Sequence, residues 1–232
     1  MQLDQGAQTM AKKQTNKGNR RKAKELEEQG LRAYQAWDMD QAIQYFQKTS
    51  RIAPNEPDTF LHLARALARS GNFDQALRAL ADFMRLEPES PLAERFEQLF
   101  ASGMDEVEQT LTEKATADGL PIEIIGAAIQ MWIEYRITLG REPLIIRKPE
   151  TWAAALDYTV RKVNLHPVKR KEIAALYGIS DGAMRDRHND LLSVLDVMPC
   201  DYRYFTGKEN PLDKLVEAAE LLEQLEANFQ EP

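Results

Sequence analysis

The chain has 232 residues, of which 43% are hydrophobic and 29% charged, a balance that excludes intrinsic disorder and provides for one large or two small cores. The single cysteine, Cys200, excludes an internal disulfide and a cysteine-based zinc site. The formal net charge of −7 is unevenly spread, because residues 1–24 are basic, residues 25–120 acidic, residues 121–200 nearly neutral and residues 201–232 acidic.

Residues 1–22 are a hydrophilic, basic segment without an apolar period, which predicts a disordered arm. This arm is either an electrostatic tether to nucleic acid or a solubilising tail, and Met10 is an alternative translation start. The segment lacks an apolar run typical of a secretory signal, and no apolar stretch reaches the roughly 20 residues that cross a bilayer. The expected location is therefore the cytoplasm, without membrane contact.

Two consecutive segments repeat one pattern at an offset of 34 residues, namely residues 23–56 and 57–90. Asp40-Gln41-Ala42 falls on Asp74-Gln75-Ala76, Pro54 falls on Pro88, and apolar positions follow the same offset. The pattern resembles the tetratricopeptide repeat, whose small, packing and terminal positions would be filled by Gly30, Ala42, Phe46 and Pro54, then by Ala64, Ala76, Leu80 and Pro88. Trp37 departs from it, since the turn residue there is often glycine. Residues 91–100 read as a capping helix that completes a domain over residues 23–104.

The resemblance implies a peptide-binding face lined by the first helix of each repeat. Its residues would be Glu27, Leu31, Tyr34, Leu61, Arg65, Ala68 and Arg69. Arg65 and Arg69 lie one helical turn apart, so they are suited to an acidic segment of a protein partner. The alternative is that both arginines only balance the acidic residues around them.

A second helical module is predicted over residues 105–200. Its sequence contains Leu120-Pro121-Ile122-Glu123-Ile124-Ile125, then Arg147-Lys148-Pro149-Glu150-Thr151-Trp152-Ala153-Ala154-Ala155, then Lys171-Glu172-Ile173-Ala174. Over residues 105–197 this order resembles one cyclin-box repeat of the general transcription factor IIB type, which implies five helices that end in a helix-turn-helix. The family usually has two repeats and a zinc ribbon, whereas this chain has one repeat and no zinc cysteines.

The helix-turn-helix is centred on Gly178, with Ala174 and Met184 in the core. Candidate DNA-binding residues on the last helix and on the basic run before it are Lys169, Arg170, Lys171, Arg185, Arg187 and Asn189. Asp181, Asp186 and Asp190 on the same helix would repel phosphate unless they pair with arginine. The alternative to DNA contact is a structural or protein-binding role.

The sequence contains no phosphate-binding glycine loop, nucleophile elbow or metal-ligand pair, so we expect no catalytic residue, no metal and no cofactor. Residues 201–232 form an acidic segment whose amphipathic helix either packs back on the chain or forms a dimer. The sequence thus predicts an all-α, non-enzymatic adaptor or regulator. It would bind a protein or peptide through the repeats and duplex DNA through the helix-turn-helix. The alternative is a scaffold that contacts proteins only.

Overall fold

The computed structural model describes the backbone of residues 3–214 and 216, and the side chains of residues 18–97, 103–214 and 216. These described residues form helices joined by turns and contain no β-strand, so the predicted all-α fold is confirmed. The helices are α1 (Leu3–Gln35), α2 (Met39–Ile52), α3 (Pro57–Arg69), α4 (Phe73–Leu86), α5 (Pro91–Ser102), α6 (Glu106–Ala117), α7 (Ile122–Leu139), α8 (Pro149–Val163), α9 (Arg170–Leu176) and α10 (Asp181–Leu195).

The chain divides into two compact units. The first comprises Met1–Ala101 together with Arg136–Leu144, and the second comprises Ser102–Tyr135 together with Ile145–Pro232. The segment of residues 136–144 comes from the part of the sequence assigned above to the second module. Unit 1 therefore contains a piece of chain that lies more than 30 residues beyond its capping helix.

Helix α1 begins at Leu3 and so includes most of the basic arm that the sequence predicts to be disordered. The arm is rich in lysine, arginine, glutamine and alanine, which have high helix propensity, and the first proline of the chain is Pro54. A helix that has formed over the repeat can therefore continue towards the N-terminus without meeting a strong helix breaker.

In unit 1, α1 pairs with α2 and α3 pairs with α4, as the 34-residue offset predicts. Ala42 and Ala76 are fully buried at the start of the second helix of each pair. Gly30 lies so close to the ring of Phe46 that a Cβ atom there would come within 2.5 Å of it. The small residues thus permit the close helix approach that the repeat pattern requires.

Helix α5 occupies the predicted capping position. Leu92 and Phe96 on it are fully buried, and the hydroxyl of Ser90 accepts a hydrogen bond from the amide of Ala93 at 3.1 Å. Leu99 and Phe100, which the sequence assigns to the same apolar face, have side chains outside the described residues.

Unit 2 is built around the alanine-rich helix α8, against which α6, α9 and α10 pack. Ala153, Ala154 and Ala155 are fully buried, and Trp152 packs against Trp132 at 5.2 Å between ring centroids. The indole N–H of Trp132 donates to Asp105 at 2.8 Å. The core position predicted for both tryptophans is confirmed.

The segment that follows α10 is tied to α7 by buried charges. Glu134 is fully buried, accepts from the hydroxyl of Tyr204 at 2.7 Å and forms an ion pair with Arg203 at 2.6 Å. A buried carboxylate needs such partners, because burial alone would strongly disfavour its charged form. The start of the acidic C-terminal segment therefore belongs to the core of unit 2.

The chain is helical again from Pro211, but most of the predicted amphipathic tail helix lies outside the described residues. Within the part of the chain that the structure describes, no helix combines the length and apolar character needed to span a bilayer.

Candidate functional site

The predicted groove residues lie on α1 and α3 of unit 1. Leu61 is buried, whereas Leu31, Tyr34, Arg65 and Arg69 are partly exposed. Helix spacing explains this grouping, since residues three or four apart share one face.

Part of this surface is already in contact with the segment of residues 136–144. The Nε atom of Arg65 donates to the carbonyl oxygen of Ile137 at 3.4 Å, and the backbone at Gly140 lies against the side chains of Arg65 and Leu61. Gly140 has a φ angle of 57°, and a Cβ atom there would collide with the guanidinium of Arg65. Glycine is thus required at this position both by the backbone conformation and by the close approach.

Burial beneath this segment lowers the pKa of Arg65 from its usual value. The group that Arg65 contacts is a backbone carbonyl and not a carboxylate. At Arg65, the chain itself therefore occupies the position that the sequence analysis gives to an acidic ligand.

Arg95 of α5 binds the end of α7. Its Nη1 atom donates to the carbonyl oxygens of Arg136 at 2.7 Å and of Gly140 at 3.3 Å, and its Nη2 atom donates to the carbonyl oxygen of Glu142. The last carbonyl groups of a helix lack partners within the helix and carry partial negative charge. Arg95 satisfies three such acceptors at once and fixes the course of the segment.

Arg141 provides the reverse contact, from the segment to the repeats. It forms two hydrogen bonds of 2.8 Å with the carboxylate of Glu87 and one of 2.6 Å with Asp58, and its guanidinium lies 5.2 Å from the ring centroid of Phe83. The hydrogen bonds with Glu87 are the largest cause of a raised pKa for Arg141. The repeat surface thus recognises backbone carbonyls with arginines, and one arginine with two carboxylates.

At the other end of the predicted groove, Arg69 is stacked on two aromatic rings. Its guanidinium carbon lies 5.1 Å from the ring centroid of Tyr34 and 4.5 Å from that of Trp37. Trp37 is 48% exposed. The sequence analysis places Trp37 in a turn and does not include it in the groove; its 34-residue offset from Gly71 is the signal that fixes its place.

A cavity of about 300 Å³ lies between α1, α2 and α3. In it, Glu27 accepts from the hydroxyl of Thr59 at 3.0 Å and lies 2.5 Å from Nδ1 of His62. The sequence analysis assigns Glu27 to the groove face and leaves His62 without a role. The structure instead brings them together in a polar contact between the two repeats.

The predicted helix-turn-helix is formed by α9 and α10 with a turn at residues 177–180. Gly178 has a φ angle of 68°, and the hydroxyl of Ser180 accepts from the amide of Ala183 at 3.2 Å as the N-cap of α10. Arg170 binds Asp181 with two hydrogen bonds of 2.6 and 2.9 Å, which lowers the pKa of Asp181. This bidentate pair joins the first turns of the two helices.

The six candidate DNA-binding residues have different surroundings. Arg170 is bound to Asp181, Arg187 is bound to Asp190 at 2.7 Å, and the exposed Lys169 lies 3.5 Å from Glu172. The exposed side chains on α9 and α10 are Lys171, Arg185 and Asn189. The sequence analysis anticipates that arginines on α10 would pair with aspartates, and Arg187 does so.

Three basic or polar residues that the sequence analysis leaves without a functional role, Arg147, Lys148 and Thr151, line a cavity of about 470 Å³ together with Arg187. Their signal in the sequence is the adjacent Arg147 and Lys148 directly before Pro149. Among the described residues, no group of three or more His, Cys, Asp and Glu side chains could hold a metal ion.

A family model for the tetratricopeptide repeat matches residues 33–98 of the chain. The "Uncharacterized protein YccF" of Bacillus subtilis is 29% identical over 126 residues, which are 53% of this chain and 34% of that protein. The chain thus spans about a third of the length of this curated relative. No solved structure matches the chain. Residues 33–98 are therefore similar to tetratricopeptide repeats, and the predicted resemblance of the first module is confirmed.

Proposed function

We propose that the chain is a non-enzymatic adaptor that holds a protein partner on its tetratricopeptide repeats. Repeats of this family are interaction modules, and the similarity of residues 33–98 supports this class of function. The observation that carries the proposal is the way in which the repeats bind residues 136–144, through backbone carbonyls and one arginine. A surface that recognises main-chain groups and single side chains is suited to protein segments.

The partner binds at the α1 end of the surface, beside Arg69, because residues 136–144 cover the surface at Arg65. Tyr34, Trp37 and Arg69 provide two aromatic rings and a guanidinium, the residue types that contribute most to protein interfaces. A guanidinium stacked on aromatic rings keeps its N–H groups in its own plane, so it can still bind a carboxylate. An acidic segment is therefore the favoured ligand.

Affinity capture with the intact protein tests this proposal. The charge reversal Arg69→Glu should release a partner that the unmodified chain retains. The matched control is Arg78→Glu on α4, where the side chain is exposed and lies outside the predicted groove. Retention of every captured protein by the Arg69→Glu variant would contradict this binding position.

DNA contact by α10 is a second candidate function, and the arrangement of α9 and α10 favours it. A buried Ala174, a left-handed Gly178 and a capped helix start are the features of a helix-turn-helix. Arg185 and Asn189 on the exposed face of α10 are of the types that read guanine and adenine. A scaffold that contacts only proteins is the alternative, and the cyclin-like character of residues 105–197 stays a prediction.

The salt dependence of duplex DNA binding separates these alternatives. Three to five phosphate contacts predict a slope of about −3 to −5 for log affinity against log salt. Arg185→Ala or Asn189→Ala should reduce sequence preference at a cost of about 1–3 kcal/mol, whereas removal of residues 1–17 should only flatten the slope. Absence of duplex binding at low salt would exclude the DNA function and leave the protein-binding function intact.

A further inference from the structure

A cavity of about 470 Å³ in unit 2 lies among the extended segment before α8, the first turn of α8, and α10. Its lining residues are Ile145, Arg147, Lys148, Thr151, Trp152, Ala183, Asp186 and Arg187. They come from three stretches of chain that fold together, so the cavity is a product of the tertiary structure of unit 2.

The cavity has an excess of positive charge. Arg147, Lys148 and Arg187 line it with three cationic groups, and Asp186 is its one carboxylate. Cations grouped around a concave surface reinforce one another at a ligand placed between them, and the low-dielectric walls reduce screening by water. The arrangement therefore favours an anion with more than one negative charge.

Arg187 is held in place before any ligand arrives. Its guanidinium lies 4.9 Å from the ring centroid of Trp152, and Nη1 contacts Asp190 at 2.7 Å. Trp152 is only 2% exposed, so it forms a rigid floor beneath this arginine. A pre-positioned guanidinium loses less side-chain entropy when it binds an oxyanion.

The first turn of α8 adds to the same charge. Lys148 is the N-cap residue and makes no side-chain hydrogen bond to the helix, and Pro149 fixes the start of the helix behind it. The N-terminal end of a 15-residue helix carries partial positive charge, which reinforces the three cationic side chains beside it.

We propose that this cavity binds a phosphate group, carried either by a small phosphorylated molecule or by a nucleic-acid backbone. Two arginines and a lysine match this chemistry, because a guanidinium binds two phosphate oxygens and an ammonium neutralises a third. The inference goes beyond the proposed function, since it concerns neither the tetratricopeptide surface nor the exposed face of α10.

Inorganic phosphate is the probe for the test, with thermal unfolding of the full chain as the readout. Phosphate should raise the midpoint of unfolding relative to sodium chloride at equal ionic strength. The double variant Arg147→Ala, Lys148→Ala should weaken phosphate binding by about tenfold or more. Both side chains are exposed, so the variant should fold. The control variant Lys162→Ala, Lys208→Ala removes two exposed cations outside the cavity and should bind phosphate like the unmodified chain.

A gain-of-binding variant provides an independent test. Asp186→Asn removes the one carboxylate of the cavity and should strengthen phosphate binding by roughly threefold, the effect of one repulsive charge about 6 Å away in water. The proposal is overturned if phosphate gives no shift with the unmodified chain, or if the double variant responds like the control.

Competition identifies the source of the phosphate. If the cavity binds a nucleic-acid backbone, inorganic phosphate should displace a short labelled duplex, and the double variant should reduce the salt slope of duplex binding by about 2. If it binds a small phosphorylated molecule, the phosphate response persists while duplex binding is absent or unaffected. Because the phosphate arm does not depend on duplex binding, failure of the DNA function and failure of this inference give different results.

Discussion

The indole of Trp37 and the guanidinium of Arg69 lie 4.5 Å apart, although residue 37 has a φ angle of 61° that glycine would adopt more readily. In the second repeat the equivalent position is Gly71, with a φ angle of 80°. A left-handed backbone costs a bulky residue roughly 1–2 kcal/mol, and a cation–π contact returns about 0.5–2 kcal/mol. In the first repeat, the aromatic contact offsets the strain of the turn.

Two substitutions at this position should separate the two effects. Trp37→Ala keeps the strained backbone and loses the contact, so it should lower the free energy of unfolding by about 1–2 kcal/mol. Trp37→Gly loses the same contact but relieves the strain, so it should be the more stable of the two. Urea denaturation of both variants is the measurement, and equal stabilities would show that the turn is unstrained.

The two glycines of α1 with described surroundings should respond oppositely to alanine. At Gly30 a methyl group would collide with the ring of Phe46, so Gly30→Ala should destabilise unit 1 by about 1–3 kcal/mol. At Gly18 nothing lies within 4 Å of the new Cβ atom, so Gly18→Ala should be neutral or stabilise by up to about 1 kcal/mol. Thermal or chemical denaturation measures both changes. Similar effects at the two positions would contradict the predicted packing of Gly30.

Arg141→Ala should loosen the attachment of residues 136–144 to the repeats. The variant loses the ion pairs with Glu87 and Asp58, and we expect a loss of about 1 kcal/mol because the arginine is 41% exposed. The matched control is Arg85→Ala, which removes an exposed ion pair with Asp82 on a single helix and should change stability by less than about 0.5 kcal/mol. Hydrogen exchange at residues 136–144 should increase in the first variant only.

The stability of unit 2 should fall between neutral and mildly acidic pH because of His188. Burial lowers the pKa of His188 below its usual 6.5, and the positive charges of Arg170 and Lys162 lower it further. As the pH falls through 6.5, the unfolded chain therefore takes up a proton at this histidine that the folded chain does not, and the free energy of unfolding decreases. Below the folded pKa the decrease stops.

His188→Gln should remove this part of the pH dependence while it keeps a polar side chain beside Thr159, the hydrogen-bond partner of His188 at 2.8 Å. The measurement is the free energy of unfolding at pH 7.5 and pH 5.5 for both proteins. An equal loss in the variant and in the unmodified chain would assign the pH effect to other groups.

The repeats could be predicted because their determinants are local. Ala42, Ala76 and the prolines recur at a fixed offset, and each residue type reports a contact within its own helix pair. The helix-turn-helix could be predicted for the same reason, since Ala174, Gly178 and Met184 lie within eleven consecutive residues.

The contacts of residues 136–144 could not be predicted, because they join residues far apart in the sequence. Arg141 and Asp58 are separated by 83 positions, and Arg65 and Ile137 by 72. The acceptors of Arg65 and Arg95 are backbone carbonyls, which every residue possesses and which therefore leave no mark in the sequence. The cavity at Arg147 and Arg187 was missed for a similar reason, since its lining is assembled from separate segments.

The return of residues 136–144 to the repeats has a consequence for synthesis of the chain. When Ala101 has emerged from the ribosome, the repeats are complete in sequence, but Arg65 and Arg95 still lack the carbonyls that they bind in the folded protein. These carbonyls arrive only with residues 136–142, after α6 and most of α7 have been made. The first unit therefore reaches its final structure only when part of the second has already been translated, and a fragment that ends at Ala101 should be less stable than the same residues within the full chain.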